Sequence, residues 1–176
     1  MVQVKVPDEV ALAKRSFHTL SAQGEVFSLP PGHSNFLNEV DGKSGLTPLH
    51  LASFHGHLSA VKQLLSSSAL DVEAVNGKGQ SALFYAAFSG HSAIVKELLD
   101  HPCHKVEVDR VDMNGNTPLM FAAYNGKAVV VAELLKHLPD LSLTNNFGES
   151  AYSIAVKGNH TNIVALLDTY LLSLFN

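Results

Sequence analysis

Apolar and polar positions recur along this chain with a long period. Four times an apolar stripe stands at i, i+3, i+4 spacing: Val61, Leu64 and Leu65; Ile94, Val95, Leu98 and Leu99; Val130, Val131, Leu134 and Leu135; Ile163, Val164, Leu166 and Leu167. That spacing predicts four short amphipathic helices. A turn precedes each stripe (Gly56-His57, Gly90-His91, Gly126-Lys127 and Gly158-Asn159-His160). Before each turn lies a small pair or its equivalent: Ala52-Ser53, Ala86-Ala87, Ala122-Ala123 and Ala155-Val156. These predict a second set of helices whose small residues let neighbours approach closely.

The unit restarts after polar turns, Asn76-Gly77-Lys78-Gly79, Asp112-Met113-Asn114-Gly115 and Asn145-Asn146-Phe147-Gly148. Gly45, Gly79, Gly115 and Gly148 each stand two residues before Ser or Thr, at spacings of 34, 36 and 33 residues. A near-constant period of this length marks a repeat architecture. Thr47, Ser81, Thr117 and Ser150 are predicted N-caps, whose hydroxyls can accept from the unpaired first N–H groups of a helix. Pro48 and Pro118 fit the first helical position, where a missing N–H costs nothing. The turn glycine suits a left-handed C-cap, and Asn159 takes that place in the fourth unit.

Gly45-Leu46-Thr47-Pro48-Leu49-His50-Leu51-Ala52 resembles the G-x-T-P-L-H-x-A core of the ankyrin repeat, and Asn114-Gly115-Asn116-Thr117-Pro118-Leu119 matches most of it. The resemblance covers about residues 38–170. It implies an all-α solenoid of helix–turn–helix–hairpin units, stacked into a curved array with a concave face. Four clear repeats are expected at about 42–75, 76–111, 112–144 and 145–170. The chain departs from the family where Phe84, Met120 and Ser153 replace the His found at His50, and in a two-residue insertion near His101 to Lys105. The Gly-Ala-Asp that usually follows the second helix is mostly lost.

The ends are less regular. Residues 1–40 are expected to form a degenerate N-terminal capping repeat, with a helix over 8–22 ending at Gly24 and a short segment at 26–29 cut off by Pro30-Pro31. Asp168 replaces the leucine of the aligned units (Leu65, Leu99, Leu135), which suggests that the stack ends there with a polar outer face. Yet Leu171, Leu172, Leu174 and Phe175 follow in an apolar tail, 171–176, able to fold back as a cap or to form an edge of a longer protein.

Composition narrows the function classes. Of 176 residues 46% are hydrophobic and 16% charged, which excludes a disordered chain. A net charge of −4 gives no reason to expect nucleic acid, and mildly favours a partner of basic character. No apolar run is long enough for a membrane span, and the amino terminus lacks a secretory pattern. Cys103 is the only cysteine, which suits a reducing compartment, the cytoplasm or the nucleus.

Ten histidines invite a metal or catalytic reading. His57, His91 and His160 recur at one place in the unit, which points to packing. His101-Pro102-Cys103-His104 offers ligand types that zinc prefers, but only three local ligands where a closed site needs four. No phosphate-binding loop, paired carboxylates or nucleophile with an oriented base is present, so no catalysis, metal or cofactor is expected.

In stacks of the family it resembles, the two positions before the Gly turn face the concave groove. Here they are Phe54-His55, Phe88-Ser89, Tyr124-Asn125 and Lys157-Gly158. The hairpin tips above them offer Lys43, Ser44, Leu46, Lys78, Gln80, Met113, Asn114, Asn116, Asn146, Phe147 and Glu149. Three aromatics in successive repeats would make a stripe about 20 Å long, with helices about 8–10 Å apart. The expected function is therefore a protein-interaction module. Its partner is another protein or peptide anchored by Phe54, Phe88 and Tyr124. The chain is expected to be monomeric unless the C-terminal tail mediates association. The alternative is a scaffold segment of a larger multidomain protein. The resemblance also implies asparagine hydroxylation three residues before the hairpin Asp or Asn, where only Asn38 fits, the aligned residues being Glu73, Asp109 and Ser142.

Overall fold

The computed structural model describes residues 18, 19, 21–24 and 34–174. A 3₁₀ turn at Ser34–Leu37 is followed by eight α-helices in four pairs. These are α1 (Pro48–His55) with α2 (Leu58–Leu65), α3 (Ala82–Ser89) with α4 (Ser92–Asp100), α5 (Pro118–Tyr124) with α6 (Ala128–Leu135), and α7 (Ala151–Lys157) with α8 (Thr161–Ser173). No strand occurs among the described residues.

The first helix of each pair starts at its predicted cap. The hydroxyls of Thr47, Thr117 and Ser150 accept the N–H of His50, Met120 and Ser153. Ser81 departs from the expectation: its hydroxyl makes no capping bond, because the Phe84 N–H is taken by the Ser81 carbonyl at 3.1 Å. The left-handed turn falls on Gly56, Gly90 and Gly126, and in the fourth repeat on Asn159 (φ 55°).

First helices pack on first helices (α1, α3, α5, α7), second on second (α2, α4, α6, α8). Ala52, Ala86, Ala87, Ala122, Ala123 and Ala155 are wholly buried, so the first-helix row closes tightly. Leu64, Leu98, Leu134 and Leu167, one from each second helix, are fully buried in the shared core. Each such leucine contributes about 1.5–3 kcal/mol by leaving water. One core runs through all four pairs, so no repeat buries its apolar face alone.

The recurring histidines tie repeats together. The Nε2 of His57 lies 2.8 Å from the Ala22 carbonyl, that of His91 3.1 Å from Phe54, and that of His160 3.2 Å from Tyr124. A Cβ at Gly56 would come within 2.5 Å of the His91 ring, so that turn needs glycine for space as well as for its φ of 82°.

Residues 18, 19 and 21–23 are helical and Gly24 turns left-handed. The rest of that helix, and the segment at 26–29, lie outside the described residues. At the other end α8 continues through Leu171 and Leu172 to Ser173, so these leucines extend the last helix and do not fold back over it. Phe175 lies outside the described residues. Asp168 is exposed and accepts the Tyr152 hydroxyl, which raises the Tyr152 pKa.

Candidate functional site

The C-terminal ends of α1, α3 and α5 present Phe54, Phe88 and Tyr124, which are 38%, 41% and 71% exposed. Phe84, one turn before Phe88, is 2% exposed and belongs to the core. The three aromatics are therefore at the surface without being detached from it. Phe54 meets Tyr85 edge-on at 5.9 Å, and Phe88 meets Phe121 at 6.3 Å. Phe121 also meets Phe84 at 5.5 Å.

Tyr85 and Phe121 are two of the lining residues that were not expected from the sequence. Each stands three residues before an expected groove aromatic, Tyr85 before Phe88 and Phe121 before Tyr124. That spacing places both members of a pair on one helix face. The zigzag Phe54, Tyr85, Phe88, Phe121, Tyr124 crosses three repeats. Its first four members, Phe54, Tyr85, Phe88 and Phe121, line an open hollow of about 380 Å³ together with Lys78, Gln80 and Phe84. A second hollow of about 220 Å³ lies next along the stack, between Phe121, Tyr124, Phe147 and Ile154, with Asn116, Asn145 and Glu149 at its polar edge.

The hairpins above the groove are held by their own polar residues. Asn76 Oδ1 accepts the N–H groups of Lys78 (2.8 Å) and Gln80 (3.1 Å). Asp112 Oδ1 does the same for Asn114 and Asn116, and Asn145 Oδ1 for Phe147 and Glu149. Adjacent hairpins are joined by Met113 N–H to the Lys78 carbonyl (3.0 Å) and Asn146 N–H to the Asn114 carbonyl (2.9 Å).

These bonds divide the predicted tip residues. Lys43, Lys78, Met113 and Phe147 are exposed, Met113 and Phe147 by 70% and 76%. Gln80 and Asn116 are half-buried and partly committed: Gln80 Nε2 donates to Asp112 Oδ2 (3.2 Å), and Asn116 Oδ1 accepts from Asn145 Nδ2 (2.9 Å). Leu46 is half-buried. At the helix ends, His55 is exposed and packs edge-on against Phe54. Ser89 is half-buried. Asn125 is the C-cap of α5 and donates to the Phe121 carbonyl at 2.9 Å, so its amide serves the helix end. Lys157 is exposed and paired with Glu149, which lowers the Glu149 pKa.

The histidine-rich insertion folds against the stack. His104 Nε2 stands 3.0 Å from the Leu65 carbonyl, and the His101 and His104 rings are 5.1 Å apart. Cys103 is exposed. Among the described residues no three His, Cys, Asp or Glu side chains gather closely enough to hold a metal ion. His50 is buried in its capping box, and burial lowers its pKa. Asn38 bridges to the next repeat through the Ala69 carbonyl and the Asp71 N–H, both at 2.8 Å.

A family model described as ankyrin repeats (three copies) matches residues 21–112 and 103–170. No curated protein matches the chain.

Proposed function

Because the chain belongs to the ankyrin repeat family, whose repeats are generally protein-interaction modules, we propose that it holds a partner protein or peptide along its concave groove and performs no catalysis. The observation that supports this most is the row of aromatics Phe54, Tyr85, Phe88 and Phe121 around an open hollow, continued along the stack by the exposed Tyr124 at the second one. Apolar surface of this kind, rimmed by polar hairpin tips, marks interaction sites. The hairpin residues Lys43, Lys78, Met113 and Phe147 would set which partner is accepted.

A second reading, a scaffold segment of a larger protein, draws on the far end of the stack, where Leu172 and Leu174 are 67% and 57% exposed. We place the protein in the cytoplasm or nucleus, on the lone exposed Cys103. No helix among the described residues is long and apolar enough to cross a membrane. Affinity capture with the full chain beside its Phe88→Ala variant tests the groove reading. A partner retained by the first and lost by the second supports it. A partner retained equally by both moves the site elsewhere.

A further inference from the structure

We infer that the N-terminal half of the groove takes an extended protein segment in which an apolar side chain is flanked by carboxylates. This rests on the groove reading and adds the chemistry of the partner. The apolar member fits the larger hollow, between Phe54, Tyr85, Phe88 and Phe121. Lys78 is the only charged side chain lining that hollow. Lys43 stands at the equivalent tip one repeat earlier, and both lysines are exposed. Among the described residues neither lysine is in an ion pair, as is also true of Lys105 and Lys127, whereas Lys62, Lys96, Lys136 and Lys157 are paired.

The nearby carboxylates are already engaged by hydrogen bonds, Asp41 in its own exposed turn and Asp112 in the interior. Asp41 Oδ2 accepts from the Ser44 N–H and hydroxyl, and Asp112 is buried beneath four hydrogen bonds. In the second hairpin the equivalent residue is the neutral Asn76, so Lys78 has no carboxylate in its own turn. The other half of the groove has the opposite design. Its hollow is lined by Glu149, whose charge is answered by Lys157, and the tip residues there are Asn114 and Phe147. The local charge thus opposes the overall −4, and at a partner's approach the local charge decides. A carboxylate brought beside Lys78 at the edge of an apolar hollow gains more than the same pair in open water, because the effective dielectric is lower there.

Selection of displayed random peptides on the full chain tests this, with every enriched peptide retested on Lys78→Glu and Phe88→Ala variants whose melting is first checked. The expected result is enrichment of an aromatic or aliphatic residue flanked by Asp or Glu. Affinity should fall about tenfold on Lys78→Glu, and the affinity of the wild type should fall in high salt more than that of the variant. Enriched peptides that are basic or uncharged, yet lost on Phe88→Ala, would overturn the charge inference while leaving the groove reading intact. Enrichment insensitive to Phe88→Ala, or none at all, would overturn both.

Discussion

The His91 imidazole reaches back one repeat, its Nε2 3.1 Å from the Phe54 carbonyl, so the groove aromatic sits on a backbone that the next repeat holds. His57 and His160 repeat the contact, but the third repeat carries Lys127 there, with its stem packed over Gly90. The equivalent acceptor is the Phe88 carbonyl. Lys127→His should therefore add one inter-repeat hydrogen bond and raise stability by about 0.5–1.5 kcal/mol. Thermal denaturation checks it. A lower melting temperature would mean that the lysine stem contributes more than the missing bond.

Ser53 is completely buried in α1, and its hydroxyl has no hydrogen-bond partner. The aligned residues are Ala87 and Ala123, both wholly buried. Ser53→Ala removes an unsatisfied polar group without opening a large cavity, and alanine is the better helix former. We expect a gain of about 1 kcal/mol, or about 2–4 °C in Tm for a chain of this size. A loss would show that the hydroxyl has a partner in solution.

His50 makes the stability of the stack pH-dependent. The Thr47 N–H donates to its Nδ1 at 3.1 Å, so the ring is neutral with its proton on Nε2, which faces the Gln80 carbonyl at 2.9 Å. Burial lowers its pKa from the ordinary 6.5. The unfolded chain then binds more protons than the folded one. The stabilisation is whole above about pH 6.5 and is lost as the pH falls below that value. Melts of wild type and His50→Phe between about pH 7.5 and about pH 5 should show a shallower decline for the variant. Asp109, whose pKa burial raises, acts in the opposite sense in both proteins and cancels from the comparison. Equal slopes would remove His50 from this role.

Leu138 is left-handed (φ 55°) and 72% exposed, just past the end of α6. The strain of that conformation is about 1–2 kcal/mol for a residue with a Cβ. Glycine relieves it but loosens the unfolded chain by about 0.4–1 kcal/mol. Leu138→Gly should thus gain about 0.5 kcal/mol net in denaturant unfolding. A clear loss would mean that the exposed side chain makes contacts that outweigh the strain.

The repeat period was legible because each local signal has its own physical reason: hydroxyl caps, proline at the first helical turn, glycine or Asn159 at the left-handed turn. The inter-repeat histidines were legible as packing residues from recurrence alone. Other features depended on tertiary context. Tyr85 and Phe121 align with Leu51 and Ile154, so no recurring aromatic marks that position in the sequence, yet both rings line the hollow. The commitment of Asn125, Gln80 and Asn116 to backbone and neighbouring hairpins could not be read from polarity, since the same amides would suit a partner equally well. Ser81 has the right cap residue, but the local backbone satisfies the N–H that its hydroxyl would have taken.

Phe88 is the central aromatic of the proposed groove, so binding and melting measured together on Phe88→Ala test the account most directly. Phe88 is 41% exposed, with an edge contact to Phe121. Its loss should cost about 1 kcal/mol of stability, well short of the roughly 3–5 kcal/mol of a core Phe→Ala, which Phe84→Ala is expected to show. Affinity for a captured partner should fall about thirtyfold, the effect of removing a central interface aromatic worth about 2 kcal/mol. A small drop in Tm with that loss of binding is the predicted result. A drop in Tm as large as that of Phe84→Ala, or a captured partner bound with unchanged affinity, would contradict it.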